Sequence, residues 1–226
     1  MKKPYIICHM MTSVDGRIDC NMTEHLQGQN EYYDTLKATK APNTISGRVT
    51  AELELAQSGK FESKVNESLG TESFSKKVAA DNFNIVMDTR GTLLWEKDSQ
   101  YSRPHLIVTS EKVKKDYLEY LDSKNISWIA TGEEHIDLKR AVEILATEFN
   151  VERLAIVGGG KIDGGFLDAG LIDEISILMG PGVDGRTNAP SVFDGRANDS
   201  HPLPLKLQSV QSYDDGAIWI RYQVQK

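Results

Sequence analysis

The stretch 154–165 constrains the fold more than any other part of the chain. It begins with four apolar residues and continues with three consecutive glycines, which predicts a buried parallel strand that ends in a tight backbone turn. We expect a helix from about 162 to 169, closed by a glycine at its C-terminal end. A strand, a glycine turn and a helix N-terminus together direct backbone N–H groups at an anion. The stretch therefore predicts a phosphate-binding turn, although a turn that only packs a helix closely against a strand uses the same glycines.

The rest of the chain repeats short strand and helix patterns around this stretch. Strands are predicted at 5–11, 42–45, 84–88, 105–109, 126–130 and 175–179, and helices at 31–38, 51–56, 111–121 and 138–149. This alternation is typical of a parallel sheet with helices on both faces. The last two segments, 205–210 and 217–224, alternate in period two around an Asp-Asp-Gly turn, which predicts an antiparallel hairpin. We therefore predict a three-layer α/β/α fold with a mixed, mostly parallel central sheet.

Two segments are predicted to be irregular. The run from Ser13 to Arg17 contains Asp-Gly, a strong turn signal, and it is expected to lead into a short return segment at 18–20. The segment 57–82 is polar and rich in Ser, Lys and Glu, so we predict a long loop with one helical turn near 75–80.

Length, charge and cysteine content limit the classes of protein to consider. No Pro, Gly or Ser linker divides the 226 residues, so a single domain over 1–226 is expected. The net charge of −7 argues against a general nucleic-acid binder. The first residues are too short an apolar run for a signal peptide or a membrane span, which predicts a cytoplasmic protein without a membrane partner. The two cysteines and five histidines show no metal-ligand spacing, so no metal is predicted.

Two other predicted strands end in small, hydroxyl-bearing or cationic residues. Ser46, Gly47, Arg48 and Thr50 join one strand to a helix start, and another strand is followed by the pair Thr89-Arg90. An ordinary helix with Ser46 as its N-cap is the simpler explanation of the first turn. Several such turns in one domain nevertheless indicate a dinucleotide site.

Taken in order, these segments resemble the dihydrofolate-reductase-like family typified by the C-terminal reductase domain of bifunctional riboflavin-biosynthesis proteins. Each matching segment is weakly specific alone, but they follow the order of the family over nearly the whole chain. The segments include Met-Thr-Ser-Val-Asp-Gly-Arg near the start and the glycine turn, and they lie at 11–17, 46–50, 86–91, 157–160, 167–174 and 181–185.

The resemblance implies a reductase that binds NADPH at the carboxyl ends of the parallel strands. Its cofactor-binding residues would be those of the strand ends and the glycine turn: Thr12, Ser46, Gly47, Arg48, Thr50, Thr89, Arg90, Gly159, Gly160, Lys161, Ile162, Asp163, Gly164 and Gly165. Backbone donors suit a pyrophosphate, and Arg48, Thr89 or Arg90 suits the 2′-phosphate of NADPH. No acidic residue about twenty positions after the glycine turn is in the right role, because Asp173 and Glu174 come too early and begin a strand, so NADP is preferred over NAD.

The resemblance also places the substrate beside the first strand. His9, Met11, Ser13 and Val157 are the candidate substrate-binding residues, and Asp15 is the candidate catalytic residue for binding or proton handling. The alternative for Asp15 is that it only forms the turn. The alternative for His9 is that it has a structural role in the strand. The cofactor carries the hydride, so little acid–base machinery is needed.

The chain departs from the family pattern at two of these positions. Val157 stands where the riboflavin-type reductases carry Glu, and His9 stands at the lysine position of the first strand. The zinc-deaminase motif of the bifunctional proteins is also absent from the sequence. The activity that the resemblance implies is the reduction of 5-amino-6-(5-phosphoribosylamino)uracil in riboflavin biosynthesis. The alternative enzyme is a dihydrofolate reductase or a general carbonyl and imine reductase.

Two further expectations concern partners. A non-catalytic nucleotide-binding protein is the alternative from outside the enzymes. The C-terminal strands alternate Ile, Trp, Tyr and Val, and an unprotected sheet edge is unstable in solution, so a homodimer is expected.

Overall fold

A computed structural model describes residues 2–98 and 102–225. It confirms the order of the predicted strands and helices and adds a short helix at 20–23 and an edge strand at 73–75. Most element boundaries lie within a few residues of the expected ones. In chain order the elements are β1 (Tyr5–Thr12), α1 (Cys20–Thr23), α2 (Gln29–Ala38), β2 (Asn43–Gly47), α3 (Arg48–Glu54), β3 (Ser73–Ser75), β4 (Asn84–Met87), β5 (His105–Thr109), α4 (Lys115–Ser123), β6 (Ser127–Ala130), α5 (Leu138–Thr147), β7 (Arg153–Gly158), α6 (Gly160–Asp168), β8 (Glu174–Met179), β9 (Leu205–Ser212) and β10 (Ile218–Val224).

The described chain forms two compact units. One unit contains residues 42–152 together with 2–4, and the other contains 5–41 together with 153–225. The expectation of a single domain stays a prediction. Each unit is described separately below.

The first unit is built on a mostly parallel sheet with the strand order β3, β6, β5, β4, β2. Strands β2, β4, β5 and β6 run parallel, and the three-residue strand β3 joins the edge of β6 in antiparallel orientation. The parallel strands are buried almost throughout, as expected when helices cover both faces of a sheet.

Helices cover both faces of this first sheet. Val86, Ile107 and Trp128 point to the face covered by α3 and α4, where they share one buried cluster with Tyr117 of α4. Phe149, just after α5, packs edge-on against Phe83, with ring centroids 5.7 Å apart. Phe149 also contacts Phe74 of β3. Phe74 pairs with Ile129, whose side chain points away from that of its neighbour Trp128, so this contact lies on the face opposite α3 and α4.

The second unit is built on the strand order β7, β1, β8, β10, β9. Strands β7, β1 and β8 run parallel, whereas β10 pairs antiparallel with both β8 and β9. The predicted C-terminal antiparallel hairpin is therefore confirmed, and so is the mixed, mostly parallel character of the fold.

The central strand β1 separates two helices in the second unit. His9 contacts Tyr32 and Thr35 of α2, while its neighbour Cys8 interacts with Asp163 of α6. Because successive residues of a strand point to opposite faces, α2 and α6 cover opposite faces of this sheet. The predicted layering of helix, sheet and helix is thus present within this unit.

Both segments predicted to be irregular differ in detail from the expectation. The return segment at 18–20 does not form; Ile18 donates a backbone hydrogen bond to Pro190, and α1 begins at Cys20 with Asp19 as its N-cap. The helical turn near 75–80 is also wrong, because the chain forms the edge strand β3 beforehand and then continues without a helix. Long-range pairing and the packing of Phe74 override the local helix preference in this segment.

Across residues 2–98 and 102–225, every helix lacks either the length or the apolar character that a membrane span requires.

Glycine at position 91 is required by the packing of the first unit. Gly91 has φ of 67°, and a Cβ there would overlap the ring of Tyr117, whose side chain is fully buried. Gly170 has φ of 69° with open space around it, so it supplies a control with equal backbone strain and no clash. We expect Gly170→Ala to cost about 1–2 kcal/mol of unfolding free energy. Gly91→Ala should cost at least about 2 kcal/mol more, because the buried ring cannot move aside.

Urea unfolding of both alanine variants and the parent protein measures this difference. Equal losses of unfolding free energy in Gly91→Ala and Gly170→Ala would contradict the packing argument.

Candidate functional site

The carboxyl ends of β1 and β7 emerge side by side in the second unit. The two strands are parallel neighbours with Cys8 opposite Ile156, so Thr12 and the glycine turn lie at the same edge of the sheet. Thr12 is buried, and its side chain shares a face with Cys8 and therefore with α6. The cofactor candidates Thr12 and the residues of α6 are thus brought together on one face.

The first turn of α6 presents backbone donors without acceptors. Gly159 is the N-cap, with φ of 108° and ψ of 101°, a conformation that favours glycine. Within the described residues, the N–H groups of Gly159, Gly160 and Lys161 donate no hydrogen bond, and the Lys161 side chain is exposed beside them. Unbonded N–H groups and a lysine at a helix N-terminus suit an anion such as a phosphate.

Two glycines of α6 have a different explanation. A Cβ at Gly160 would overlap the carbonyl oxygen of Ser191, and one at Gly164 would overlap the carbonyl oxygen of Asp194. The amide of Asp194 also donates a hydrogen bond of 2.9 Å to the Gly160 carbonyl. The small residues at 160 and 164 are therefore required by the segment 191–194 of the chain itself. Their predicted contact with a cofactor stays a prediction.

Asp163 is a buried acid inside the first turns of α6. Its side chain is completely buried, and neither carboxyl oxygen accepts a hydrogen bond from an N–H or O–H group among the described residues, so the weak thiol donor of Cys8 is its nearest polar neighbour. Burial raises its pKa to about 8, with a further contribution from the nearby charge of Asp194, while the Cys8 thiol acts in the opposite direction. Asp163 is therefore protonated at neutral pH. A neutral carboxyl at this position adds no negative charge of its own beneath the positive end of the helix.

Asp15 fixes a loop of the second unit. Its carboxylate accepts hydrogen bonds from the Ser13 hydroxyl at 2.6 Å and from the backbone amides of Asp184 and Gly185 at 2.9 and 3.0 Å. These bonds, with that of Ser13 the largest contribution, hold the pKa of Asp15 well below its ordinary value. Asp15 is thus ionised and fully engaged at neutral pH, which favours a positioning role over proton donation.

The substrate candidates of β1 and β7 share the other face of this sheet. Ala155 pairs with Ile7, so Val157, two residues further along β7, points to the same side as His9 and Met11. Val157 is half-buried, and Met11 is buried. The structure therefore brings these three predicted substrate residues to one face, with Ser13 following at the strand end.

His9 belongs to a buried hydrogen-bonded chain. The Trp219 indole N–H donates to the Ser176 hydroxyl at 2.8 Å, and that oxygen lies 2.9 Å from His9 Nδ1. His9 Nε2 lies 3.4 Å from the Tyr32 carbonyl, and the Tyr32 ring stacks on the imidazole. Burial lowers the pKa of His9 to about 4, so the ring is neutral. Both ring nitrogens are engaged within the protein, which favours the structural alternative for this residue.

The predicted cofactor residues of the first unit lie at two neighbouring strand ends. Strands β2 and β4 are parallel, with Gly47 opposite Met87, so the turns after them share one edge of that sheet. Ser46 is buried, and Thr50 is half-buried on the seven-residue helix α3. Arg48 donates from Nη1 to Glu52 at 2.7 Å, an exposed i,i+4 ion pair. Its charge is therefore partly neutralised by its own helix.

The turn after β4 is held by a buried aspartate that the sequence analysis did not select. Asp88 accepts backbone hydrogen bonds from Thr92 at 2.6 Å and Leu93 at 2.9 Å, and its own amide donates to β5. This anchoring presents Thr89, half-buried, and Arg90, exposed. The sequence signal for this role is an Asp at the start of a turn, because such a carboxylate accepts hydrogen bonds from backbone amides a few residues later.

No group of three or more His, Cys, Asp or Glu side chains in 2–98 and 102–225 is arranged to hold a metal ion. The residues described above supply hydroxyls, backbone amides and cations. Such donors bind phosphates and polar organic groups.

Known proteins are similar in sequence to this chain over most of its length. A family model described as the RibD C-terminal domain matches residues 4–219. A 2,5-diamino-6-ribosylamino-4(3H)-pyrimidinone 5′-phosphate reductase of Archaeoglobus fulgidus is 26% identical over 95% of this chain and 95% of its own length. The enzyme of the same name from Aquifex aeolicus is 23% identical over 92% of each chain.

Solved structures show the same fold at low sequence identity. A pyrimidine reductase-like protein from Corynebacterium diphtheriae superposes with a TM-score of 0.72 at 18% identity, covering 99% of this chain and 92% of the other. RibD of Acinetobacter baumannii gives a TM-score of 0.67 at 20% identity, with 99% of this chain and 58% of the other covered. The predicted dihydrofolate-reductase-like fold is therefore confirmed.

Removal of the buried acid should change how stability depends on pH. The folded-state pKa of Asp163 is raised above its ordinary value of 3.8, so the folded protein binds a proton more tightly than the unfolded chain. Stability must therefore fall between about pH 4 and pH 8, by at most about 1.4 kcal/mol per pH unit from this group. We expect Asp163→Asn to remove this decline and to be more stable than the parent above pH 8.

Urea unfolding at pH 5, 7 and 9 measures this effect, with Asp168→Asn on the exposed side of α6 as the control. Parallel pH profiles for the parent and Asp163→Asn would show that the buried carboxyl does not titrate as described.

Loss of the Asp15 charge should loosen the loop that it holds. Asparagine offers one acceptor oxygen and a wrongly placed donor, so Asp15→Asn should lose a bond to Asp184 or Gly185 and lower the melting temperature by a few degrees. Because the pKa of Asp15 is lowered, its contribution is complete at neutral pH and is lost only below about pH 4. Thermal unfolding of parent and variant should therefore differ fully at pH 7, and the difference should become smaller as the pH falls from 4 towards 2. A difference that stays the same over this range would exclude the charge as the cause.

Proposed function

Because the chain belongs to the RibD C-terminal domain family, we propose that it is an NADPH-dependent reductase of a phosphorylated ribosylaminopyrimidine in riboflavin biosynthesis. The relatives that span almost the whole chain are named pyrimidinone phosphate reductases. The predicted class, an oxidoreductase of this pathway, is confirmed by that family. The identity of the cofactor and the roles of individual residues are the new parts of the proposal.

The observation that carries the cofactor proposal is the N-terminus of α6. Its unbonded N–H groups at Gly159, Gly160 and Lys161 fit a pyrophosphate, and the neutral Asp163 behind them adds no repulsion. When bound, NADPH supplies the hydride, so this chain has to bind and orient rather than to activate a nucleophile.

The preference for NADPH rests on an arginine of the first unit. Arg90 is exposed after the Asp88-anchored turn and forms no ion pair with any residue that the structure describes. Arg48 is already paired with Glu52. A free guanidinium binds a phosphate without first breaking another ion pair, so Arg90 is the better candidate for the 2′-phosphate. Ser46, Gly47, Thr50 and Thr89 remain proposed cofactor contacts of this unit.

The substrate contacts are proposed on the face of Val157 and Met11 and at the hydroxyl of Ser13. Asp15 orients this end of β1 through Ser13 and does not exchange a proton near neutral pH. His9 supports the strand from within its hydrogen-bonded chain. Specificity then depends on the shape and polarity of the β7 end.

Val157 favours a second candidate substrate. A half-buried valine at the end of β7 accepts no hydrogen bond from a pyrimidine amino group, and a missing partner of this kind weakens selection for such a group. A dihydrofolate or general carbonyl and imine reductase remains the alternative enzyme. The predictions of a cytoplasmic location and of a homodimer are also part of the proposal.

NADPH oxidation tests the proposed reaction. Absorbance at the nicotinamide band should fall when the protein is mixed with NADPH and either the diaminopyrimidinone or the aminouracil ribosylamino phosphate. Faster turnover of dihydrofolate than of both pyrimidines would favour the alternative enzyme. Tryptophan fluorescence during an NADPH titration measures binding separately, and a protein that binds NADPH but reduces none of the three would be a non-catalytic nucleotide-binding protein.

The arginine assignment is tested by cofactor selectivity. We expect Arg90→Gln to weaken NADPH binding about 10- to 100-fold while leaving NADH binding unchanged, because only NADPH carries the 2′-phosphate. The matched variant Arg48→Gln should change the NADPH dissociation constant less than threefold. Fluorescence titration with both cofactors measures this, and a larger loss in Arg48→Gln would reverse the assignment of the two arginines.

A further inference from the structure

A short segment after β8 connects the end of β1 to the first turns of α6. We refer to residues 189–194 as the bridging segment. It belongs to no helix or strand, yet its backbone contacts both the turn at 13–18 and α6. All three parts lie within the second unit.

The first set of contacts joins the bridging segment to the turn after β1. The amide of Ile18 donates a hydrogen bond of 3.0 Å to the Pro190 carbonyl. The amide of Val192 donates one of 3.3 Å to the Gly16 carbonyl. These two bonds lie on either side of Ser191, so the backbone at this residue is held against the turn.

Arg17 adds a side-chain contact to the same attachment. Its backbone is paired with that of Ser191 in an isolated antiparallel bridge. Its Nη1 donates a hydrogen bond of 2.6 Å to the Ala189 carbonyl. Its Nε lies 3.9 Å from Oδ2 of Asp15, the carboxylate that holds the loop at 184–185. The half-buried guanidinium therefore joins that loop to the bridging segment.

The second set of contacts joins the bridging segment to α6. The amide of Asp194 donates a hydrogen bond of 2.9 Å to the Gly160 carbonyl. Gly160 has no room for a Cβ beside the carbonyl oxygen of Ser191, and Gly164 has none beside that of Asp194. Main chain lies against main chain at both positions, and such a contact cannot adapt by rotation of a side chain. A displacement of the bridging segment must therefore move the start of α6 as well.

Asp194 gives the bridging segment its shape. Its carboxylate accepts hydrogen bonds from the Ser191 amide at 3.0 Å and from the Ser191 hydroxyl at 2.6 Å. Bonds of this kind between a side chain and nearby backbone fix irregular turns. Ser191 is the residue at which the two sets of contacts meet, since it pairs with Arg17 and its carbonyl lies against Gly160. Asp194 therefore fixes the point through which Arg17 acts on α6.

The bridging segment lies between two parts of the proposed site. On one side is the end of β1, with the proposed substrate contact Ser13 and its partner Asp15. On the other side is the N-terminus of α6, which carries the cofactor proposal. Reactions between two bound groups depend steeply on their geometry, and a misplacement of about 1 Å costs about 100-fold in rate. The rate of the proposed reaction therefore depends on the spacing of these two parts.

We propose that Arg17 and Asp194 are positioning residues of the reductase, which set the spacing between the end of β1 and α6 through the bridging segment. Neither side chain contacts the substrate or the cofactor in this role. The inference rests on the proposed function, because the spacing affects a rate only if the two parts hold the two reactants. Loss of either side chain leaves each binding surface intact and changes their separation. The expected effect is therefore on kcat and not on binding.

The kinetics of four variants test the proposal. Arg17→Met removes the guanidinium donors and keeps the apolar stem, and Asp194→Ala removes both bonds to Ser191. Arg17→Lys keeps a cation and a donor, which is sufficient for a single bond to a carbonyl. Arg196→Met is the matched control, because Arg196 pairs with Asp168 at the other end of α6.

NADPH oxidation is measured with the pyrimidine or dihydrofolate that the parent reduces, and NADPH binding by tryptophan fluorescence. We expect Arg17→Met and Asp194→Ala to lower kcat about 10- to 100-fold, while both KM values and the NADPH dissociation constant change less than about threefold. In Arg17→Lys kcat should stay within about fivefold of the parent, and in Arg196→Met within about twofold.

Amide hydrogen exchange, followed by NMR without cofactor, measures the same linkage in the absence of catalysis. The amides of Asp194, Ile162 and Asp163 all donate hydrogen bonds to carbonyls of the first turn of α6 or its N-cap. We expect each to exchange at least about tenfold faster in Arg17→Met, because the start of α6 is less firmly held. Arg196→Met should leave these rates unchanged.

An unchanged kcat in both folded variants would overturn the proposal, and so would unchanged exchange in Arg17→Met. A loss of kcat that only follows the folded fraction seen by circular dichroism, or that Arg17→Lys does not avoid, would indicate general destabilisation and would also overturn it. A parent that oxidises NADPH with none of the substrates would reject the proposed function instead, and with it the role of these two residues in hydride transfer, whatever the exchange rates.

Discussion

The pairing of β1 with both β7 and β8 is the contact on which the second unit depends. It joins the start of the chain to two strands about 150 residues later, with Tyr5 opposite Arg153 and Ile7 opposite Glu174. Asp173 reinforces this pairing by accepting the backbone hydrogen bond of Ile6 at 2.9 Å. Without this pairing, the end of β1, the glycine turn and the loop held by Asp15 would have no fixed positions. The candidate site is therefore a product of the long-range register more than of any single motif.

Burial of polar groups distinguishes positions that support the site from positions that face a ligand. His9 and Asp88 have their hydrogen-bonding capacity satisfied by the protein, which fixes strands and turns. Asp163 differs from them, since its carboxyl is buried without an N–H or O–H donor among the described residues and stays neutral. Burial without hydrogen bonding normally destabilises a fold, and such costs are typical of sites that serve function. The neutral acid beneath a helix N-terminus is consistent with an anion-binding role for that terminus.

The sequence was sufficient for the fold class, the family and most elements, because apolar periodicity and glycine turns are local signals. Edge strand β3 was missed since its formation depends on Phe74 meeting Phe149, a contact that no local pattern contains. The strands that carry the candidate residues end close to the positions that the sequence predicts, whereas the contacts of those residues with a ligand stay predictions. The contacts of individual side chains were not predictable. Arg48 is paired with Glu52, whereas Arg90 forms no ion pair within residues 2–98 and 102–225, and position 160 has no room for a Cβ beside the carbonyl oxygen of Ser191. These distinctions depend on distances between residues far apart in the chain.

The division of the chain into units also has a consequence for its synthesis. Residues 42–152 are continuous apart from the few at the start, so this unit can fold while the ribosome is still translating the remainder. The other unit contains 5–41 and 153–225, and β1 therefore waits for its partner strands until most of the polypeptide has emerged. During that interval a strand whose residues are almost all buried in the folded protein is exposed to solvent. We therefore expect the nascent chain to pass through a state in which residues 42–152 are folded while β1 is still unpaired.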